Sequence, residues 1–482
     1  MPNDEGTAGD MDPSQLDLAR AQFAMTSIYH FLFVPVTIGT AVLVAVLHTQ
    51  WYRTRLPEYR RLTRFFGGLL LLSVAVGVVT GLVQEFQFGM DWSAYSKFVG
   101  DVFGAPLAME GLAAFFLEST FLGVWVFGWK VLPRGVHLAS AWAVALGTCL
   151  SALFIIAANS WMQNPVGYTT DPQTGAPVLS SIGDVFGNPV FLPAYAHVIV
   201  AALLYASTVM LAVSVWHLRR GTEVSMFHRS AKLAVWVLLV TSILQVQVGG
   251  VLGQVLTKVQ PMKIAAMEAQ WETCQPCSFS VLQIGGWTPD DPPTKIIEIP
   301  YLLSILATGD PQGKVVGMNE LQQQYAAQYP QNGDIDYWPD VRIQYAAMRV
   351  MAYLGGIAML VALWGIFLLW RRRLDDAHLF HRVAAWAVLM PFFIGTAGWV
   401  LTETGRQPWI VQGLMLTRDG LSTSVGAGQV LVSLLVFLLL YAVIGIIALV
   451  LMLRHVRSGP DPETPDDADD DAPRVRVPEL TY

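Results

Sequence analysis

Charge and sulfur are both scarce in this chain. Of its 482 residues, 13% are Asp, Glu, Lys or Arg, whereas 54% are hydrophobic. A soluble domain carries charge on about 25% of its residues, so a water-soluble enzyme or a nucleic-acid binder is excluded. Three cysteines are too few for a disulfide-built secreted scaffold. Cys149 lies in an apolar run and reads as packing. Cys274 and Cys277 form a C-x-x-C without the two further ligands nearby that a zinc site needs. A local disulfide and two free thiols both stay open for them. No internal repeat is visible. The formal charge of −7 is concentrated at one end: residues 459–482 hold eight acidic residues against two Arg, leaving about −1 elsewhere. That stretch, PDPETPDDADDDAP and its flanks, reads as solvated and disordered.

What the chain has in abundance is long apolar runs. A membrane-spanning helix needs about 20 mainly apolar residues. Nine such stretches occur, near 23–49, 65–88, 105–129, 136–160, 193–217, 231–256, 343–370, 383–402 and 427–453. The first is too long, and lacks the basic leader, for a cleavable signal peptide, so it is expected to remain as a span. Basic residues alternate between the connections. One side carries Arg53, Arg55, Arg60, Arg61 and Arg64, then Lys130 and Arg134, then Arg219, Arg220, Arg229 and Lys232. Arg371, Arg372, Arg373 and Arg382, then Arg454 and Arg457, continue it. The excess of basic charge on cytoplasmic loops then predicts an outside N-terminus and a cytoplasmic C-terminus. The expectation is an all-α integral membrane protein with nine transmembrane helices and five parts. These are an extracytoplasmic segment 1–22, spans one to six over 23–256, an outward loop 257–342, spans seven to nine over 343–453, and an acidic tail 454–482. The outward loop opens with KVQPMKIAAMEAQWET, where Met262, Ala265, Ala266, Ala269 and Trp271 suggest a short amphipathic helix. Its polar remainder is expected to be mobile and functional.

Ionisable groups inside such spans cost free energy, which makes each a candidate for function. They are His30, Glu110, Glu118, His197 and Glu403. By the topology above, His30, Glu110, His197 and Glu403 share the outer half of the membrane, with Met351 at similar depth. The seven other histidines (His48, His137, His217, His228, His378, His381 and His455) fall at the cytoplasmic side as ordinary interfacial residues. Haem iron takes His and Met as axial ligands, and a His/Met pair makes an electron-transfer haem. Arg349, just above Met351, is suited to a haem propionate or a quinol oxygen. Glu110 and Glu118 lie eight residues apart, about 12 Å of rise and 80° of azimuth, as steps of a proton relay. Glu403 reads either as a helix-end partner of Arg406 or as a group at iron, with Trp399 and Trp409 as belt residues or porphyrin neighbours.

Several long stretches resemble subunit I of the cytochrome bd-type quinol oxidases. They are RAQFAMTSIYHFLFVP, GLVQEFQFG, GDVFGAPLAMEGLAAFFLEST, ANSWMQNP, KIAAMEAQWET, IPYLLSILATGDP and GRQPW. The resemblance implies two haems b and one haem d. In that family's pattern His197 and Met351 would hold the low-spin haem b. His30 and Glu403 would serve the pair of haem d and high-spin haem b, beside Arg406 and Trp399. Family members differ in which position each haem takes, and on balance His30 is placed on haem d and Glu403 on the high-spin haem b. Glu110 and Glu118 would match an intramembrane acidic pair, and Lys263 and Glu268 the quinol-oxidation residues. It also implies a second subunit, small single-span accessory subunits, membrane quinol and O2 as partners, and a bacterial plasma-membrane location. The outward loop resembles the shorter-loop form, and CQPC is no general feature of the family. The mechanism expected is quinol oxidation outside and O2 reduction with cytoplasmic protons, electrogenic without a pump. Two rival readings are a diheme quinol dehydrogenase, which would use bis-His pairs, and a proton-coupled transporter, which would show repeats and broken helices. A non-catalytic assembly subunit leaves so many intramembrane charges unexplained.

Overall fold

The computed structural model describes residues 13–462. The expected N-terminal segment 1–22 and acidic tail 454–482 lie largely outside the described residues. Their described parts are helical up to Ser458: the first helix already starts at Pro13 and the last runs to Ser458.

The chain is a bundle of helices α1 (Pro13–Thr54), α2 (Pro57–Met90), α3 (Ser93–Met109), a π-helical stretch Glu110–Phe115, α4 (Phe116–Phe127) and α5 (Arg134–Gln163). Strands β1 (Tyr168–Thr170) and β2 (Pro177–Leu179) and the short α6 (Ile182–Phe186) lead to α7 (Phe191–Arg220) and α8 (Val224–Val259). Then come α9 (Pro261–Met267), β3 (Phe279–Ile284), β4 (Thr294–Ile299), α10 (Leu302–Thr308) and α11 (Met318–Gln328). The chain closes with α12 (Val341–Trp370), α13 (His378–Ala387), α14 (Met390–Thr404), β5 (Trp409–Val411), β6 (Met415–Leu416) and α15 (Ala427–Ser458). Among the described residues nine helical units are long and apolar enough to span a membrane, with α3–α4 and α13–α14 each acting as one. Helix ends follow local chemistry. Pro57, Pro261 and Pro391 occupy first-turn positions, where their missing N–H costs nothing. Asp340 caps α12 by accepting from Ile343 N at 3.1 Å.

Helices α1, α5 and α7 are the most enclosed, and α15 lies on the outside with Leu439 and Ile446 exposed. Between apolar helices in lipid, close van der Waals packing drives association, and small residues allow it. At Gly39 on α1 an added Cβ would sit 2.0 Å from the Ala202 carbonyl oxygen of α7, so only glycine permits that crossing.

One end of the bundle gathers the arginine-bearing connections. Arg61 pairs with Glu223 at 2.7 Å, and its Nε donates to the Asp461 carbonyl at 3.0 Å. The histidines there differ from the expectation. His48, His137, His217 and His381 are buried, and they serve as internal hydrogen-bonding groups rather than interfacial ones. His217 Nε2 donates to Val456 O at 3.0 Å and His137 Nε2 to Trp125 O at 2.8 Å. Such imidazoles close the helix ends without facing solvent.

The long connection between α8 and α12 sits at the opposite end and is a folded layer, not a structureless one. It has a β3–β4 hairpin, three helices and a Cys274–Cys277 disulfide. It also has its own apolar cluster, in which Met262, Trp271, Met318, Leu321 and Tyr337 pack with Trp409 from beyond α14. Those aromatic and apolar residues are spread too thinly along the loop to register as periodicity. The α9 segment is also buried all round instead of amphipathic: Lys263 and Ile264 are as enclosed as Ala265 and Ala266.

Candidate functional site

The loop end holds most of the candidate residues. Val259 ends α8, Gln260 turns the chain, and Pro261 starts α9 beneath the loop layer. Lys263, 2% exposed, donates from Nζ to Gln163 Oε1 at the end of α5, 2.9 Å away. Its stem lies against Gly405, where an added Cβ would come 2.8 Å from Lys263 Cγ. Burial, and secondarily the Arg406 cation, push the Lys263 amine down to about 7, with Glu403 opposing them.

Beyond α9 the backbone turns through Ala269, at φ 50°, and presents Glu268 to the other side. Glu268 Oε2 accepts from Arg349 Nη2 at 2.7 Å, both side chains being buried. Burial raises the Glu268 carboxyl above its usual range, and the guanidinium pulls it back down. The Arg349 guanidinium also donates to Met267 O and Ser280 O, each at 2.6 Å, and stacks 3.7 Å over the Tyr345 ring. The partners of Arg349 here are the loop's own carboxylate and carbonyls. Lys263 and Glu268, close in sequence, point apart. Lys263 faces Glu403 and Arg406, and Glu268 faces Arg349.

Glu403, at the end of α14, is ion-paired with Arg406, and its Oε1 accepts from Asn159 Nδ2 at 2.9 Å. The helix-end pairing, one of the two readings of Glu403, is thus present. Trp399 meets Phe31, the neighbour of His30, edge-on at 5.3 Å. Trp409 packs on Tyr329 and Tyr337 of the loop layer, at 4.9 and 5.8 Å, rather than in an interfacial belt.

His30 on α1 shares a 2.9 Å hydrogen bond with Thr80 through Nδ1, and Gly81 faces its ring closely: an added Cβ would approach Cε1 to 3.2 Å. His197 on α7 accepts from Gln245 at Nε2, 2.9 Å, while its buried Nδ1 has no partner. Gly249 faces that ring at 3.1 Å, and Gly398 of α14 faces Met351 Sδ at 3.4 Å, by the same measure. The unpartnered Nδ1 of His197, with His30, His197 and Met351 each facing a glycine, fits a flat prosthetic group. Among the described residues no three His, Cys, Asp or Glu converge on a bare ion. Haem needs only axial ligands from the protein, which the dispersed His, Met and Glu can supply.

Glu110 and Glu118 both face α5. Ser151 Oγ donates to Glu110 Oε1 at 2.7 Å, and a Cβ at Gly147 would lie 2.8 Å from the Glu118 backbone nitrogen. The π-helical stretch begins at Glu110 itself. Its i→i+5 bonding rotates Glu118 relative to an uninterrupted helix, so the 80° separation read from regular steps does not hold. Such π segments concentrate at functional sites.

Several partners escaped the sequence reading: Asn159, Gln163, Gln245, Thr80 and Ser151. Amides inside apolar runs, such as Gln245 in SILQVQVGG, were a signal of the same kind as the carboxylates. A further buried cluster joins Gln22, Gln87 and Asp91, with Gln22 Nε2 2.8 Å from Gln87 Oε1 and Ser433 Oγ 2.7 Å from Gln22 Oε1.

Comparison with known proteins bears on this arrangement. A family profile described as cytochrome bd terminal oxidase subunit I matches residues 18–460. The chain is 40% identical over 447 residues to the cytochrome bd ubiquinol oxidase subunit 1 of Bacillus subtilis (strain 168), covering 92% of this chain and 94% of that one. It is 35% identical over 504 residues to the cytochrome bd-II ubiquinol oxidase subunit 1 of Escherichia coli (strain K12), covering 92% and 97%. The solved bd oxidase of Geobacillus thermodenitrificans superposes with a TM-score of 0.84 at 28% identity, over 93% of this chain and 99% of that one. A bundle of nine apolar spans, with ligand-type side chains set against glycines below a folded loop layer, thus belongs to the family of cytochrome bd terminal oxidase subunit I.

Proposed function

We propose that the chain oxidises membrane quinol under its loop layer and supports O2 reduction with protons drawn from the arginine end. Family membership makes it a quinol:oxygen oxidoreductase subunit and a multi-pass protein of the bacterial plasma membrane, working with a second subunit. The observation that carries the finer reading is the α9 segment, where Lys263 and the following Glu268 are buried against the bundle and tied to the Glu403–Arg406 end and to Arg349.

The arginine-bearing connections meet at one end, which supports a cytoplasmic C-terminus and an outward loop layer. His197 and Met351 would hold a low-spin haem b, His30 a haem d and Glu403 a high-spin haem b. When bound, such groups supply one-electron transfer and an open iron position for O2. Quinol is amphipathic and reaches the loop layer laterally. Lys263 offers its ammonium to one quinol oxygen. Glu268, on which burial and a fixed cation act in opposite directions, is poised to take and release a proton. Protons released there leave outward. Glu118 and then Glu110, held by Ser151, pass protons inward from the cytoplasmic side. Separating release from uptake moves charge across the membrane, storing about 2.3 kcal/mol per charge per 100 mV without a pump.

The test is a reduced-minus-oxidised visible spectrum of the purified two-subunit protein, followed by quinol-driven O2 consumption. The expected result is b-type bands with an additional far-red chlorin band, and O2 uptake on adding quinol. A spectrum without haem, or b-type bands without O2 uptake, would overturn the reading.

A further inference from the structure

We propose that Gln163 and Asn159 are positioning residues that join Lys263 to Glu403 in one polarised hydrogen-bond chain, through which occupancy of the loop lysine alters the carboxylate at the end of span eight. The proposal rests on the reading above that Lys263 meets quinol and Glu403 serves a haem.

The chain has three links. Lys263 Nζ donates to Gln163 Oε1 at 2.9 Å, Gln163 Nε2 to Asn159 Oδ1 at 2.8 Å, and Asn159 Nδ2 to Glu403 Oε1 at 2.9 Å. Asn159 and Gln163 are four residues apart on α5 and so share one face. Their amide orientations follow from the two ends. An ammonium only donates, and a carboxylate paired with Arg406 only accepts. Turning either amide over would set donor against donor or acceptor against acceptor, so the dipoles all run from lysine to glutamate. Aligned bonds polarise one another, by about 10–30% per bond.

The anchoring is built in. Gln163 is the last residue of α5, and its carbonyl, which lacks a helical partner, accepts from Gln260 Nε2 at 3.1 Å. Arg406 fixes the other oxygen of Glu403 and also donates to Ile410 O at 3.2 Å. Primary amides do not titrate, so this route carries a field and a geometry but no proton. It is therefore separate from the Glu110–Glu118 route. A quinol oxygen that takes an N–H of Lys263 weakens the first bond and, through the aligned amides, the donation onto Glu403.

The experiment is a redox titration of the visible spectrum in the two-subunit holoenzyme, with and without a redox-inert quinone analogue. Gln163 touches Asn159 but not Glu403. Gln163→Leu is nevertheless expected to shift the midpoint potential of the haem at Glu403 in the same direction as Asn159→Leu. The double variant should shift it no further than the larger single change. The analogue should move the wild-type potential and leave Gln163→Leu unmoved. Gln163→Met, neutral and close in length, lacks both the acceptor for Lys263 and the donor toward Asn159. It should behave like Gln163→Leu, and it carries the test if the leucine variant does not assemble. A shift in Asn159→Leu alone, with Gln163 variants and analogue without effect, would overturn the proposal. Glu403→Ala separates this from failure of the underlying reading: a full haem complement in that variant sinks the haem assignment itself, whatever Gln163 does.

Discussion

Replacing Glu268 by alanine should release the α9 segment from the bundle by an amount set by the groups left behind. Removing one partner of a buried ion pair costs about 3–5 kcal/mol, because the other charge remains buried. Arg349 would keep two carbonyl acceptors, Met267 O and Ser280 O, and the Tyr345 ring face. The loss should therefore sit at the lower end, about 3 kcal/mol, or roughly 150-fold in a local opening equilibrium. The amides to watch are those of Lys263, Ile264, Ala269 and Gln270, which bond to Gln260, Gln260, Ala266 and Ala265 carbonyls within the segment. Hydrogen exchange of the two-subunit protein in lipid nanodiscs should show protection there falling by about two orders of magnitude. Glu268→Gln retains an acceptor for the guanidinium and should loosen the segment less. If Glu268→Ala lost quinol oxidation while exchange of these four amides stayed at the wild-type rate, the structural part of the reasoning would be wrong. Glu268 would then act in proton chemistry alone.

Two further outcomes follow from the site. Gly249→Val puts branched carbon where a Cβ already approaches His197 Cε1 to 3.1 Å. It should remove the low-spin b absorbance selectively, and equal loss of all haem bands on a purified-protein spectrum would count against a local role. Lys263, lowered to about 7, is charged on the acid side of that value and neutral above it. Because the charged amine is the stronger donor, quinol KM should be lower below about pH 7 and rise through it, with no such inflection in Lys263→Met. An inflection that persists in the variant would assign it to another group.

The nine spans, the arginine pattern and the intramembrane ionisable groups were all legible in the sequence. They are properties of composition along the chain: an apolar run long enough to cross a bilayer, or a carboxylate inside it, declares itself without knowledge of its neighbours. His30, His197 and Glu403 stood out for that reason. Partnership is a different kind of information. That Lys263 and Glu268, five residues apart, face opposite sites depends on a seven-residue helix and a left-handed residue at Ala269. That Arg349 clips the loop depends on where β3 delivers the Ser280 carbonyl. The π-helical turn at Glu110, the folded loop layer and the amide chain from Lys263 to Glu403 were likewise decided by packing across helices distant in sequence. Spacing along one chain sets which face a residue occupies, but hydrogen-bond geometry is settled only when another helix arrives to meet it.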